Sequence, residues 1–269
     1  MSDADYIHRC AELVDAGVPF VSVTMVDAVG STPQDAGSKM LVTTDGLTFG
    51  TVGGGRVEAK AIEYAIAMLA DTGGSAKQSH FVEWNLQKDV GMTCGGTVRL
   101  YFEAVNHRPW RIVVFGAGHI TQALVRLLIM LPCRVTCIDP RGDWLGRLPD
   151  SPNVEKVVTD HPPERVADLP NDSFVVCMTR GHKSDLPVLL EIFRQKRTFP
   201  YLGVIGSKSK AAVLRRELIE AGIPEKTIRF HCPMGMPIGT NHPGEIAVSI
   251  TAQLLQERDR VRSDQSLAQ

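Results

Sequence analysis

Hydrophobic patterning changes character near residue 106. Before it, short β-rich runs dominate, several alternating apolar with polar: FVSVTMVDAVG from Phe20, KMLVTT from Lys39, LTFGTV from Leu47, SHFVEWNL from Ser79 and TVRLYFEAV from Thr97. Alternation with a period of two predicts strands with one buried face. Asp45-Gly46, set between two of these runs, predicts a hairpin turn. One segment keeps another period: GGGRVEAKAIEYAIAMLA places apolar residues at 57, 61, 64, 65 and 68, the spacing of a helix laid on a sheet. With a short helix over 3–15, the pattern predicts an α+β domain spanning 1–105.

Beyond the polar, proline-containing joint NHRPW (106–110), strand and helix patterns take turns. RIVVFGAG, CRVTCID, NVEKVVT, SFVVCMT and YLGVIGS read as apolar strands. HITQALVRLLIML, DLPVLLEIFRQK, KSKAAVLRRELIEAG and HPGEIAVSITAQLLQE read as helices, the third closed by Gly222 and the last with its proline early. Apolar strands alternating with helices predict a parallel sheet covered on both faces. The expected fold class is therefore α/β: a C-terminal Rossmann-like parallel sheet over 109–257, with a smaller N-terminal α+β domain. Residues 258–269, charged or small, are expected to fray as a tail.

Composition narrows the partners. The 269 residues carry a net charge of −1, with 43% hydrophobic and 22% charged positions. Nothing in that balance calls for nucleic acid or an anionic membrane surface. No apolar run approaches the roughly 20 residues needed to span a bilayer, and MSDADYIHRC lacks the features of a signal peptide. A cytoplasmic protein is expected. The six cysteines contain no CxxC and no zinc spacing, so free thiols are expected, with Cys133, Cys137 and Cys177 packed into strands.

Several stretches could carry chemistry, and each has a plainer reading. In FGAGHITQA, Gly116 and Gly118 lie between a strand and a helix, where backbone can approach a phosphate at the helix N-terminus beside His119. Thr121 replaces the third glycine of the dinucleotide fingerprint. Asp139 ends the next strand about 20 residues on, the place of a ribose-binding acid. The plainer reading is a βα turn that needs glycine for geometry. In VIGSKSK, Ser207, Lys208 and Lys210 at a helix start would suit a phosphate, or Ser207 is an ordinary N-cap with solvated lysines. The loop HCPMGMPIGTNHPGE offers His231, Cys232, Asn241, His242 and Glu245; its spacing is not a zinc pattern, and Glu245 also reads as a carboxylate favoured by a helix dipole.

The first half adds two more. Gly53, Gly54 and Gly55 run into a helix carrying Arg56 and Glu58, either as an anion nest or as a flexible joint. GMTCGG holds Cys94 beside Gly95 and Gly96, either a small buried hydrophobe or a thiol at the rim of a site.

Taken in order, VGSTP…GSKM, GTVGGGRVE, GMTCGG, FGAGH with IDPR, VIGSKSK, and CPMGMPIG…HPGEIAVSI resemble the XdhC/CoxI family of xanthine dehydrogenase accessory proteins over nearly the whole chain. The family commonly has Arg after the proline of the first motif, where this chain has Gln34; Lys39 or Arg56 could supply a missing anion contact. The resemblance implies a molybdenum cofactor (molybdopterin) chaperone of purine catabolism rather than a turnover enzyme. Such a protein holds the cofactor while a cysteine desulfurase exchanges an oxo ligand for sulfur, then inserts it into xanthine dehydrogenase. On that reading the glycine turns, His119, Asp139, Ser207, Lys208 and Glu245 contact the cargo, and the Cys94 thiolate is a transient molybdenum contact. A homodimer is expected from such carriers. The alternative is an NAD(P)-dependent oxidoreductase using the FGAGH crevice. In a bifunctional variant, that crevice binds a nucleotide beside the cargo.

Overall fold

The computed structural model describes residues 2–71, 79–93, 95–107 and 109–267, with side chains as far as residue 264. The chain divides into two compact units, one ending at Arg108 and the other running from Pro109 to Leu267.

The first unit is an antiparallel sheet with helices. Helix α1 (Asp3–Asp15) precedes strands β1 (Phe20–Val29), β2 (Lys39–Thr43) and β3 (Gly46–Gly50). Helix α2 (Gly55–Ala70) follows, then β4 (Ser79–Asn85) and β5 (Thr97–Val105). The five strands are ordered β3-β2-β1-β5-β4. Every apolar position of the α2 pattern is used: Val57, Ala61, Ala65 and Met68 are buried, and Tyr64 packs beside them in the same core. Ser2 caps α1 in a reciprocal arrangement with Asp5. That helix closes a smaller cluster around Leu13, Phe20 and Leu41.

The second unit is the parallel sheet. Its strands are β6 (Trp110–Phe115), β7 (Cys133–Asp139), β8 (Val154–Val158), β9 (Phe174–Cys177) and β10 (Tyr201–Val204). Their order in space is β10-β9-β6-β7-β8. The chain starts in the middle, moves outward to β8, then returns to the other side of β6. The reversal between β6 and β9 opens a crevice at the strands' C-terminal ends, where open α/β sheets place ligands. Helices α3 (His119–Leu128) and α7 (Pro243–Leu267) cover one face; α5 (His182–Arg194) and α6 (Lys208–Glu220) cover the other. Between β7 and β8 lies only the single turn α4 (Gly142–Leu145), and the β8–β9 crossover is a 3₁₀ segment, Pro162–Asp168. That thin crossover leaves part of the sheet under-covered.

Cys133, Cys137 and Cys177 are buried in this sheet, and burial pushes the first two thiols up to about 11 and about 12, Cys177 well above the ordinary value. They are packing residues.

One expectation needs correction. Residues 258–267 are not a fraying tail but the last turns of α7, which is 25 residues long. The Arg258 guanidinium lies 4.9 Å from the Trp110 ring centroid, and Val261 packs on the core. Charge that reads as solvated tail is arranged at helical spacing, Arg260 pairing with Glu257 at 2.8 Å and with Asp264 at 3.9 Å. Among the described residues, no helix is long and apolar enough to cross a membrane.

Candidate functional site

In the first unit, three glycine-rich stretches come together at one end of the sheet. The glycines divide into two kinds. Gly53, at φ +142°, is forced by packing, because a Cβ there would lie 2.7 Å from Pro33 Cγ. Gly96 is forced likewise: a Cβ would strike the Ser31 carbonyl and sit 2.9 Å from Thr32 Cγ2. Gly54, Gly55 and Gly95 face open space, the first two with φ of +62° and +58°. The stretch Ser31-Thr32-Pro33 is thus wedged between the triple-glycine turn and the GMTCGG loop. Arg56 donates from Nη1 to the Gly91 carbonyl, tying α2 to the same loop. The result is bare, water-facing backbone around position 94. Cys94 itself lies outside the described residues.

The triple-glycine turn is internally satisfied. Thr51 Oγ1 accepts the N–H groups of Gly53 and Gly54 at 3.1 and 3.2 Å, and its own proton goes to Glu58. Glu58 therefore acts through Thr51. The cations that could replace the missing Arg at Gln34 are also engaged. Lys39 donates to the Gly37 carbonyl at 3.3 Å and lies over the Tyr6 ring, while Arg56 holds Gly91.

In the second unit, a cleft of about 320 Å³ opens at the C-terminal ends of β6, β7 and β9. Gly116 (φ +109°) belongs to its floor, and a Cβ there would drive into the Met178 carbonyl. Gly118, the N-cap of α3, has open space around it. Thr121 is buried and donates to the Gly116 carbonyl at 2.8 Å, so the residue replacing the third glycine braces the turn. His119 is exposed, its ring edge-on to Trp144 at 5.0 Å.

Asp139 is buried, and its carboxylate is saturated. Oδ2 accepts Ala117 N–H at 2.7 Å and Arg141 Nη2 at 2.7 Å; Oδ1 accepts Arg141 N–H at 2.9 Å and Nε at 2.8 Å. Burial pushes its carboxyl up, but the bonds from Arg141 and Ala117 hold it below the ordinary value. The acid at the ribose position is committed to the protein. Opposite it stand Thr179, Arg180 and Ser184. Thr179 Oγ1 donates to Asp185 at 2.7 Å, and fully buried Asp185 pairs with Lys210 Nζ at 2.5 Å.

Lys210 is therefore the partly buried partner of that carboxylate rather than a solvated lysine. Ser207 is the N-cap of α6, accepting Lys210 N–H at 3.2 Å, and Lys208 beside it is exposed. The 231–245 loop is pinned by its own groups. His231 stacks on Tyr201 at 4.8 Å, and the Cys232 thiol donates to the Ser207 carbonyl at 3.6 Å. Glu245 accepts the Thr240 N–H at 2.5 Å, and that bond holds its exposed carboxyl below the ordinary value. Among the described residues no group of three His, Cys, Asp or Glu side chains gathers to hold a metal. Arg141, the last residue of IDPR, joins the site, as do Thr179 and Arg180, which no motif marks in the sequence. Their signal is position: each follows the end of a parallel strand.

A parallel sheet with this strand order, a glycine turn after its first strand and a crevice at its reversal defines a Rossmann-type domain, here joined to a glycine-rich antiparallel unit. Residues 112–254 match the XdhC Rossmann domain and residues 13–81 match the XdhC and CoxI family; the chain belongs to that family. It is 31% identical over 254 residues to protein YqeB of Escherichia coli (strain K12), covering 93% of this chain and 46% of that one. To a probable xanthine dehydrogenase subunit of Bacillus subtilis (strain 168) it is 27% identical, over 61% of this chain and 48% of that one. To the molybdenum cofactor insertion chaperone PaoD of E. coli (strain K12) it is 25% identical, over 95% of this chain and 89% of that one. The chain thus spans about half the length of the first two relatives and most of the third.

Proposed function

We propose that this protein binds the molybdenum cofactor and hands it to an enzyme of the xanthine dehydrogenase type, acting as a carrier rather than a turnover catalyst. Two relatives support the reading by name, one a molybdenum cofactor insertion chaperone and one a probable xanthine dehydrogenase subunit. The observation that carries it is the packing of the Ser31–Pro33 stretch against both Gly53 and Gly96, which leaves Gly54, Gly55 and Gly95 facing open space. A bulky pterin with a phosphate and a soft metal needs close backbone approach, N–H donors and a thiolate within reach. Gly54, Gly55 and Gly95 provide the approach and Cys94 the thiolate. A cysteine desulfurase supplies the sulfur, and a homodimer presents the cargo to its target.

Anaerobic incubation with free cofactor followed by gel filtration tests this. Pterin fluorescence and molybdenum are expected to co-elute with the protein, and Cys94→Ala is expected to fold normally yet lose at least tenfold in retained molybdenum. Stoichiometric NAD binding without pterin retention would sink the carrier reading in favour of the oxidoreductase. Equal molybdenum retention by Cys94→Ala would remove the thiol from the site.

A further inference from the structure

The cleft of the second unit has its own chemistry, distinct from the glycine surface around position 94. Asp139 offers no free lone pair to a ribose diol, since four donors from Ala117 and Arg141 occupy it. Those bonds use the Nε and Nη2 of Arg141. Its Nη1 makes no hydrogen bond among the described residues, and one guanidinium face rests on the Trp144 ring at 4.6 Å. The side chain is held on two sides with one donor edge to spare. Across the cleft, exposed Arg180 forms no ion pair among the described residues. Asp139 and Arg141 cancel, so Arg180 leaves the cleft cationic. Pro140, Pro162, Pro163 and Pro187 supply apolar lining to the same cleft.

We propose that this cleft binds a phosphate ester carried on a planar heterocycle, with Arg141 and Arg180 as its anion-binding residues and Asp139 positioning Arg141. Guanidinium groups suit phosphate by their forked donors and suit ring faces by their planarity. A volume of about 320 Å³ accommodates one ring system with its phosphate rather than a full dinucleotide. Two ligands share that chemistry, a nucleoside monophosphate and the pterin phosphate of the cargo. The second rests on the carrier reading; the first does not.

Calorimetry on the full chain separates them. The probes are the four nucleoside monophosphates, adenosine, 2′-deoxyadenosine monophosphate and free molybdenum cofactor. With a nucleotide as ligand, AMP is expected to bind at least tenfold more tightly than adenosine and as tightly as its 2′-deoxy form. Arg180→Ala weakens it at least tenfold at unchanged melting temperature, and Arg141→Lys, which loses the forked contact to Asp139, weakens it at least tenfold as well. Asp139→Asn, which frees Arg141 from its set position, is expected to change the preference of AMP over adenosine while adenosine affinity stays constant, a readout that mere loss of structure would not give. Simultaneous binding of AMP and cofactor identifies a nucleotide site. Competition between them, or cofactor retention that falls in Arg180→Ala with the nucleotides silent, identifies the pterin phosphate.

A tenfold preference for the ribo over the deoxy nucleotide would overturn the role given to Asp139. Binding of every probe unchanged in the Arg141→Lys, Arg180→Ala double variant would overturn the cleft and leave the carrier reading standing. A wild-type chain that binds neither nucleotides nor cofactor would overturn both.

Discussion

The two glycine turns meet the same requirement, backbone N–H groups satisfied at a helix start, by different chemical means. At the triple-glycine turn a neutral hydroxyl, Thr51, accepts two N–H groups and donates its own hydrogen bond to Glu58. At the Gly116 turn a buried carboxylate, Asp139, takes the Ala117 N–H and grips Arg141 as well. The same unit holds a second buried carboxylate, Asp185, paired with Lys210. The first unit thus braces its turn through a neutral hydroxyl that Glu58 holds in place. The second presents charge braced by charge. A hydroxyl can be displaced at small cost, whereas a buried ion pair broken on one side is expensive.

The sharpest test of that contrast is Lys210→Met. It strands the fully buried Asp185 carboxylate, and chemical denaturation is expected to show a loss of about 3–5 kcal/mol. Thr51→Val at the other turn, which removes only the hydroxyl, is expected to lose about 1–2 kcal/mol. Comparable losses at both would erase the distinction.

Alanine substitutions then sort the glycines within each unit. Gly116→Ala and Gly96→Ala force a Cβ into a carbonyl and are expected to lose about 2–3 kcal/mol each. Gly118→Ala and Gly95→Ala enter open space and should stay within about 1 kcal/mol of the parent. For these two, ligand retention is the property expected to change. A thermal melt of the four variants decides whether scaffold and lining have been told apart correctly.

The smallest effect is the pH dependence that Asp139 adds to the second unit. Asp139 has its folded-state pKa lowered, so its contribution to stability is fully present above the ordinary carboxylate value of about 4. It is lost as pH falls through the lower folded value. Asp139→Asn should therefore flatten the acid limb of the stability profile below about pH 4. A limb as steep as the parent's would show that Asp139 is not the group responsible.

Both sheets and nearly all their helices are legible in the sequence because the apolar periodicity of each element is complete. Its failures have physical causes. Arg258 and Val261 look like tail because their partners, Trp110 and the core beside it, lie far away in sequence. Lys210 looks solvated because the buried Asp185 that claims it sits on another helix. Arg180 is easily passed over because it stands alone in MTRGH, with no glycine pattern to mark it. Spacing along one segment is visible in a sequence; what a charged side chain meets from elsewhere is not. For the same reason Gly96 and Gly95 look alike on paper, though only the first abuts the Ser31 carbonyl.

The Thr51 hydroxyl has a kinetic consequence. Any anion entering the triple-glycine turn arrives where an internal competitor already sits, tethered at high effective concentration. Departure can then proceed as an exchange: the hydroxyl swings back as the guest leaves, and the N–H groups are never left bare. A turn built this way favours turnover of its occupant over tight storage, and Thr51→Val should slow release by removing the group that replaces the guest.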